Sequence, residues 1–188
     1  MLARDLVDNA LNTGPIKLVA SAYDCAALAL SRGQQTALAR LANYMNISTT
    51  KFGNLSIEET DVLTFVDGLI GMEDCQRWVL LGDSENPALA WLQSVDRPEV
   101  ALGVVSPRRF VPDYQVRVAK REIAQIGLDN PNNAQVLAII SNSAGALSLN
   151  LKAPLVIHLA ERMGRQIVAR DDHAVQHRLQ AAARRKTA

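Results

Sequence analysis

Aromatic residues make up only 4% of this 188-residue chain, and cysteine occurs twice, at Cys25 and Cys75. A sheet that reads single-stranded nucleic acid needs exposed rings on which bases stack, so this shortage argues against such a platform. Two distant cysteines, with neither a CxxC pair nor a companion histidine cluster, provide no disulfide framework and no zinc site, and they fit a reducing compartment. Long apolar runs are missing too. The most membrane-like stretch, IKLVASAYDCAALAL at residues 16–30, is interrupted by Lys17 and Asp24 and is too short to span a bilayer. Asp24 in the apolar stretch, with Asp5 and Asp8 near the start, also makes it a poor export signal. Only three histidines are present, His158, His173 and His177. The last two are four apart and would share a helix face, but two ligands are too few for a metal site.

What is present is enough for a core: 48% of the residues are hydrophobic, in a length suited to one domain. The overall charge of +1 conceals a split. Residues 45–172 carry 12 Lys+Arg against 16 Asp+Glu, a net of −4, whereas residues 173–188 carry Arg178, Arg184, Arg185 and Lys186 and no acid. Residues 1–44 are rich in alanine and leucine, and QQTALARLANYM spaces its apolar positions as a helix would, which predicts a helical extension. From about Ile47 the texture changes to short apolar runs separated by turn residues. That change marks a boundary near residue 45, followed by a β-domain over 45–172 and a basic tail over 173–188.

The runs NLSI, VLTFV, RWVLL, LAWLQSV, VALGVV, QVRV, QVLAII, LSLNL, LVIHL and RQIVA read as strands, and the Gly, Pro, Asn and Asp clusters between them read as turns. So many short strands predict a sandwich or a barrel. AKREIAQIGL, residues 119–128, reads as one helix closed by Gly127.

FVDGLIGMED, residues 65–74, sets Gly68 and Gly71 three apart. A phosphate-binding loop needs a following helix and a terminal cation, whereas this stretch ends in Glu73 and Asp74 and runs into the strand-like RWVLL. The glycines therefore read as structural turn residues. SNSAG lacks the Gly-x-Ser-x-Gly frame and an acid–histidine partnership, and reads as a hairpin loop. A nucleic-acid reading rests on SPRRF, VRVAKRE and the basic tail, and is opposed by the acidic body. Trp78, Trp91, Phe110, Tyr114, Arg108 and Arg109 are residue types enriched at interface hot spots; core packing for the tryptophans and edge packing for the others is the structural alternative. The residues alone thus describe a small, acidic, non-enzymatic β-domain.

In order and spacing, TKFGNLSI, FVDGLIGMED, RWVLL, WLQSV, VVSP, FVPDY and NLKAP resemble the flagellar assembly factor family FliW over residues 48–172. The resemblance implies a compact β-barrel-like fold with one or two short helices, no catalysis, no cofactor or metal, and a cytoplasmic location. It also implies two mutually exclusive protein partners: flagellin and the RNA-binding translational regulator CsrA. Once flagellin is exported, the freed factor binds CsrA and relieves its repression of flagellin messenger RNA. No direct nucleic-acid or membrane contact is implied. Acidic Glu73 and Asp74 are the candidate contacts for a basic partner. The flagellin contact that the resemblance implies involves terminal helical segments, which suggests an apolar groove lined by Phe110 and Tyr114, with Asp113 a further candidate contact. The alternative is an RNA-binding β-domain acting through its basic stripe and tail.

The chain departs from the family pattern in places. Ile70 stands where proline is common, Met72 where phenylalanine is, Ser106 replaces a frequent acid before Pro107, and Lys152 follows the familiar asparagine–leucine pair. Met45 stands where family members usually begin, which implies translation from Met45 or, otherwise, a lineage-specific helical arm.

Overall fold

A computed structural model describes residues 16–18, 43–143 and 145–179. Seven strands close into a barrel. Around it run β10 (Leu155–His158), β11 (Met163–Gln166), β4 (Val62–Thr64), β5 (Arg77–Asp83), β6 (Leu89–Ser94), β7 (Ala101–Val105) and β8 (Ala134–Ser143), and β8 pairs back onto β10. Every contact around this circuit is antiparallel except β11 with β4, which meet in parallel at Met163 and Thr64. Closure leaves these strands without free edges.

Alternation along the strands sorts side chains into two sets. Trp78, Leu92, Val104, Leu137, Leu155 and Ile157 point inward and fill the barrel together with Leu63, Phe65 and Leu69. Their neighbours Val79, Leu81, Leu89, Trp91, Val105 and Ala138 point outward, and a second layer covers them. That layer includes the hairpin of β2 (Tyr44–Thr49) and β3 (Gly53–Glu58), which contributes Ile47 and Ile57. The hairpin tip is held on Trp91, with Phe52 edge-on to its ring at 5.9 Å and the Lys51 ammonium 4.1 Å from its centroid. Strand β9 (Ala146–Leu149) adds Leu147 and Leu149, and is edged by β12 (His177–Arg178).

A smaller apolar cluster outside β10 joins Val156 and Ile167 to Ile126 and Leu128, with Ile123 packed against them. It is positioned by the single α-helix among the described residues, α1 (Lys120–Ala124). The Glu122 carboxylate accepts the Ala119 N–H at its start. At its end Gly127, with φ +66°, lets Leu128 N–H reach Ile123 O at 3.1 Å and Gly127 N–H reach Ala124 O at 3.0 Å, the paired bonds of a Schellman turn.

Four details differ from the sequence reading. Most of the helical extension expected over 1–44 lies outside the described residues, but Ile16–Leu18 form a strand, β1, paired antiparallel with β5 beyond the end of β4. Tyr44 and Met45, grouped with the helical pattern, begin β2 instead. QVRV (115–118) makes no ladder: Arg117 N–H bonds to the Asp171 carboxylate at 2.6 Å, and Arg117 O accepts from Arg170 N–H. The domain also continues past residue 172, because His173 and β12 pack onto it. His173 Nε2 lies 2.7 Å from Gln115 O with its ring 4.7 Å from that of Tyr114, and His177 sits in a strand rather than on a helix.

Candidate functional site

Between β4 and β5 the chain makes the excursion opened by FVDGLIGMED. Phe65 N–H bonds to Gln76 O at 2.7 Å, closing its base, and the loop folds back on itself through Met72 N–H to Leu69 O at 2.8 Å. Gly71, at φ +80°, follows Ile70 in the arrangement of a type II turn. Gly68 is under tighter constraint. Its φ is +67°, and a Cβ there would lie 2.6 Å from Glu73 Cα.

The loop is pinned from below and presents acid above. Leu69 and Cys75 are buried in the barrel, and Trp78 Nε1–H donates to Cys75 O at 3.0 Å. Burial pushes the Cys75 thiol above its ordinary pKa, which keeps it protonated and unreactive. Glu73 accepts Gly71 N–H at 2.8 Å. Asp74 faces Arg97 at 3.6 Å with 65% of its side chain exposed. Arg97 comes from the β6–β7 turn, where it also pairs with Glu99 at 3.0 Å. In the same turn Asp96 accepts Gln76 N–H and Arg77 N–H at 2.8 and 2.7 Å and pairs with Arg77 Nε at 2.6 Å. Burial raises the Asp96 pKa, but the bonds from Arg77 and Gln76 outweigh it and hold the carboxyl below its usual range. Asp67 pairs with Arg165 at 2.7 Å. Four carboxylates, Asp67, Asp74, Asp96 and Glu99, thus pair with three arginines, Arg77, Arg97 and Arg165, on one end of the barrel, and Glu73 adds a fifth carboxylate bonded to Gly71 N–H. Val66 and Ile70 stand in the same loop, 56% and 58% exposed.

Phe110, Asp113 and Tyr114 lie elsewhere. Their segment follows β7, whereas the acidic turn precedes it, so about 15 Å of strand separates the two surfaces. Tyr114 does not present its ring to a partner as expected. It is 3% exposed, and its hydroxyl donates to Leu151 O at 2.8 Å, so it anchors this segment to the outer core. Phe110 is half-buried on the same core and Asp113 is exposed. Trp78 and Trp91 are core residues, at 0% and 8% exposure. Residue type had marked Tyr114 as a contact, but type says nothing of the direction in which a side chain points; for the tryptophans the core-packing alternative is the one observed.

Next to the segment of Phe110 and Tyr114 the surface opens into a groove, which Tyr114 lines and Phe110 does not; the rest of its walls come from chain segments far apart in sequence, as distant as Val156 and Arg170. It has two adjoining lobes of about 400 and 900 Å³ that share Arg108, Val116, Pro131, Ala134 and Val136. Among the described residues no three His, Cys, Asp or Glu side chains are grouped to hold a metal ion.

The described residues thus form a closed barrel with an outer hairpin layer and an acidic end loop, a fold that a solved flagellar assembly factor shares. A crystal structure of the flagellar assembly factor FliW superposes with a TM-score of 0.67 at 25% identity, over 73% of this chain and 98% of that one. The family model described as FliW protein matches residues 46–179. The chain therefore belongs to the FliW family. Flagellar assembly factors FliW similar to it include that of Bdellovibrio bacteriovorus, 35% identical over 69% of this chain and 75% of the relative. Another, from Natranaerobius thermophilus, is 32% identical over 72% of this chain and 92% of the relative. No helix among the described residues is long and apolar enough to cross a membrane.

Proposed function

We propose that this chain works in the cytoplasm as a flagellin-binding chaperone that, when free of flagellin, binds CsrA and prevents it from repressing flagellin messenger RNA. Membership of the FliW family across residues 46–179 carries the reading. The acidic end of the barrel supports it locally: a regulator that binds RNA must be basic, and opposite charge speeds encounter and rejects wrong partners. Val66 and Ile70, exposed among those carboxylates, supply apolar contact area. The Phe110 and Asp113 surface, at the other end of β7, is assigned to flagellin. No catalytic step and no cofactor enters this account.

Titration calorimetry with CsrA at low salt tests the acidic surface through two variants. Asp74→Lys touches a residue whose only described ion pair is the 3.6 Å contact with Arg97. Glu73→Lys/Asp74→Lys also removes the acceptor of Gly71 N–H. Both are expected to weaken binding, the single variant by about tenfold. Unchanged affinity in both would remove this surface from the CsrA contact.

A further inference from the structure

The groove that Tyr114 lines has a sorted chemistry. Its floor is apolar, formed by Val116, Val118, Ile123, Leu128, Val136 and Val156. Its polar wall carries four cations, Arg108, Arg117, Lys120 and Arg170, and no acidic side chain lines either lobe. In a body that carries 16 acids to 12 bases over residues 45–172, such a segregated stretch is an electrostatic feature of its own. Two of the cations are partly committed: Arg117 pairs with Asp171, and Arg108 Nε–H donates to Tyr114 O at 3.2 Å. The other two are not. The ion pairs among the described residues include neither Lys120 nor Arg170, and both side chains are exposed.

The geometry points to a further docking site, in which this groove takes a peptide segment of a partner protein that carries carboxylates beside apolar side chains. An apolar floor rewards the burial of aliphatic groups, and unpaired cations at its edge select carboxylates and reject a basic segment. The concave shape does not fit a flat bilayer. Nucleic acid would need stacking rings, whereas the one aromatic lining residue, Tyr114, is buried. The acidic barrel end and the cationic groove therefore select partners of opposite charge at separate places. The site adjoins the Phe110 and Asp113 surface assigned to flagellin, but its test uses no flagellin, so the two assignments fail independently.

Fluorescence anisotropy with the full chain compares three labelled synthetic peptides of equal length, built from leucine and glutamate, from leucine and lysine, and from serine and glutamate. The leucine–glutamate peptide is expected to bind at least about tenfold more tightly than either other peptide, and more weakly as salt rises. Lys120→Glu/Arg170→Glu, which alters two exposed side chains, is expected to weaken it by about tenfold while the thermal melt stays in place. No binding, equal binding of the leucine–lysine peptide, or unchanged affinity in the double variant would each overturn the proposal. Displacement of the leucine–glutamate peptide by a short single-stranded RNA that binds more tightly than it would assign the groove to nucleic acid, and would overturn the proposal as well.

Discussion

The buried hydroxyl of Tyr114 donates to the backbone carbonyl of Leu151 at 2.8 Å, tying the segment after β7 to the segment after β9 across 37 residues. Burial, with a smaller contribution from Asp171, pushes this phenol from its ordinary value of 10.0 up to about 12. Because the folded-state value is the higher one, the stabilisation is fully present below pH 10, and it is lost as pH rises from 10 to about 12. Tyr114→Phe is expected to lower stability at neutral pH by about 1–3 kcal/mol, since it leaves the Leu151 carbonyl unsatisfied. Urea melts at pH 8 and above pH 10 check both statements: the gap between wild type and variant should narrow at the higher pH.

Gly68 and Gly71 share a left-handed backbone but not a cost of substitution. Gly71→Ala meets nothing within 4 Å and bears only the conformational penalty, about 1–2 kcal/mol. Gly68→Ala must in addition move the Glu73 backbone, from which its Cβ would be 2.6 Å away. Thermal melts of the two variants should therefore differ, with Gly68→Ala the less stable.

Gly164 faces into the barrel under the Phe65 ring, and a Cβ there would sit 2.7 Å from Phe65 Cε1. Gly164→Ala is expected to cost about 1–3 kcal/mol through overpacking. Combining it with Phe65→Leu should recover part of that loss, a coupling that a double-mutant cycle in urea measures directly.

Asp96 is held below its ordinary value of 3.8 by the bonds from Arg77 and Gln76, which outweigh its burial. A carboxylate with a depressed folded-state pKa contributes stability that is present above its unfolded value and is lost as pH falls through the folded one. Asp96→Asn is expected to destabilise the domain by about 1–3 kcal/mol at pH 7. The difference from wild type should shrink in urea melts below pH 3.8.

Most strands were legible in the sequence because alternation writes itself into runs such as RWVLL, where Trp78 and Leu80 point into the barrel and Val79 and Leu81 point out. Alternation does not say what an extended segment bonds to. Val116 and Val118 alternate as a strand would, yet they line the outer core and the groove while Arg117 N–H is taken by Asp171. RQIVA reads as one strand for a related reason: its first two residues, Arg165 and Gln166, belong to β11, and beyond them Ile167 N–H reaches Pro154 O and Ala169 N–H reaches Lys152 O. Glu73 and Asp74 were visible as an acidic pair, but Asp96 and Glu99, about 20 residues further along, join them only because β5 and β6 are paired. An apolar groove near Tyr114 was expected, but its cationic wall was not legible, since Arg108, Arg117, Lys120 and Arg170 come together only in the folded chain.

The central claim is that two protein partners compete for this one chain. It is tested most directly by calorimetry of the purified protein with CsrA in the presence and absence of saturating flagellin. The account predicts that CsrA binds the free protein and that flagellin suppresses this binding. CsrA binding unaffected by saturating flagellin, or no binding of CsrA at all, would contradict it.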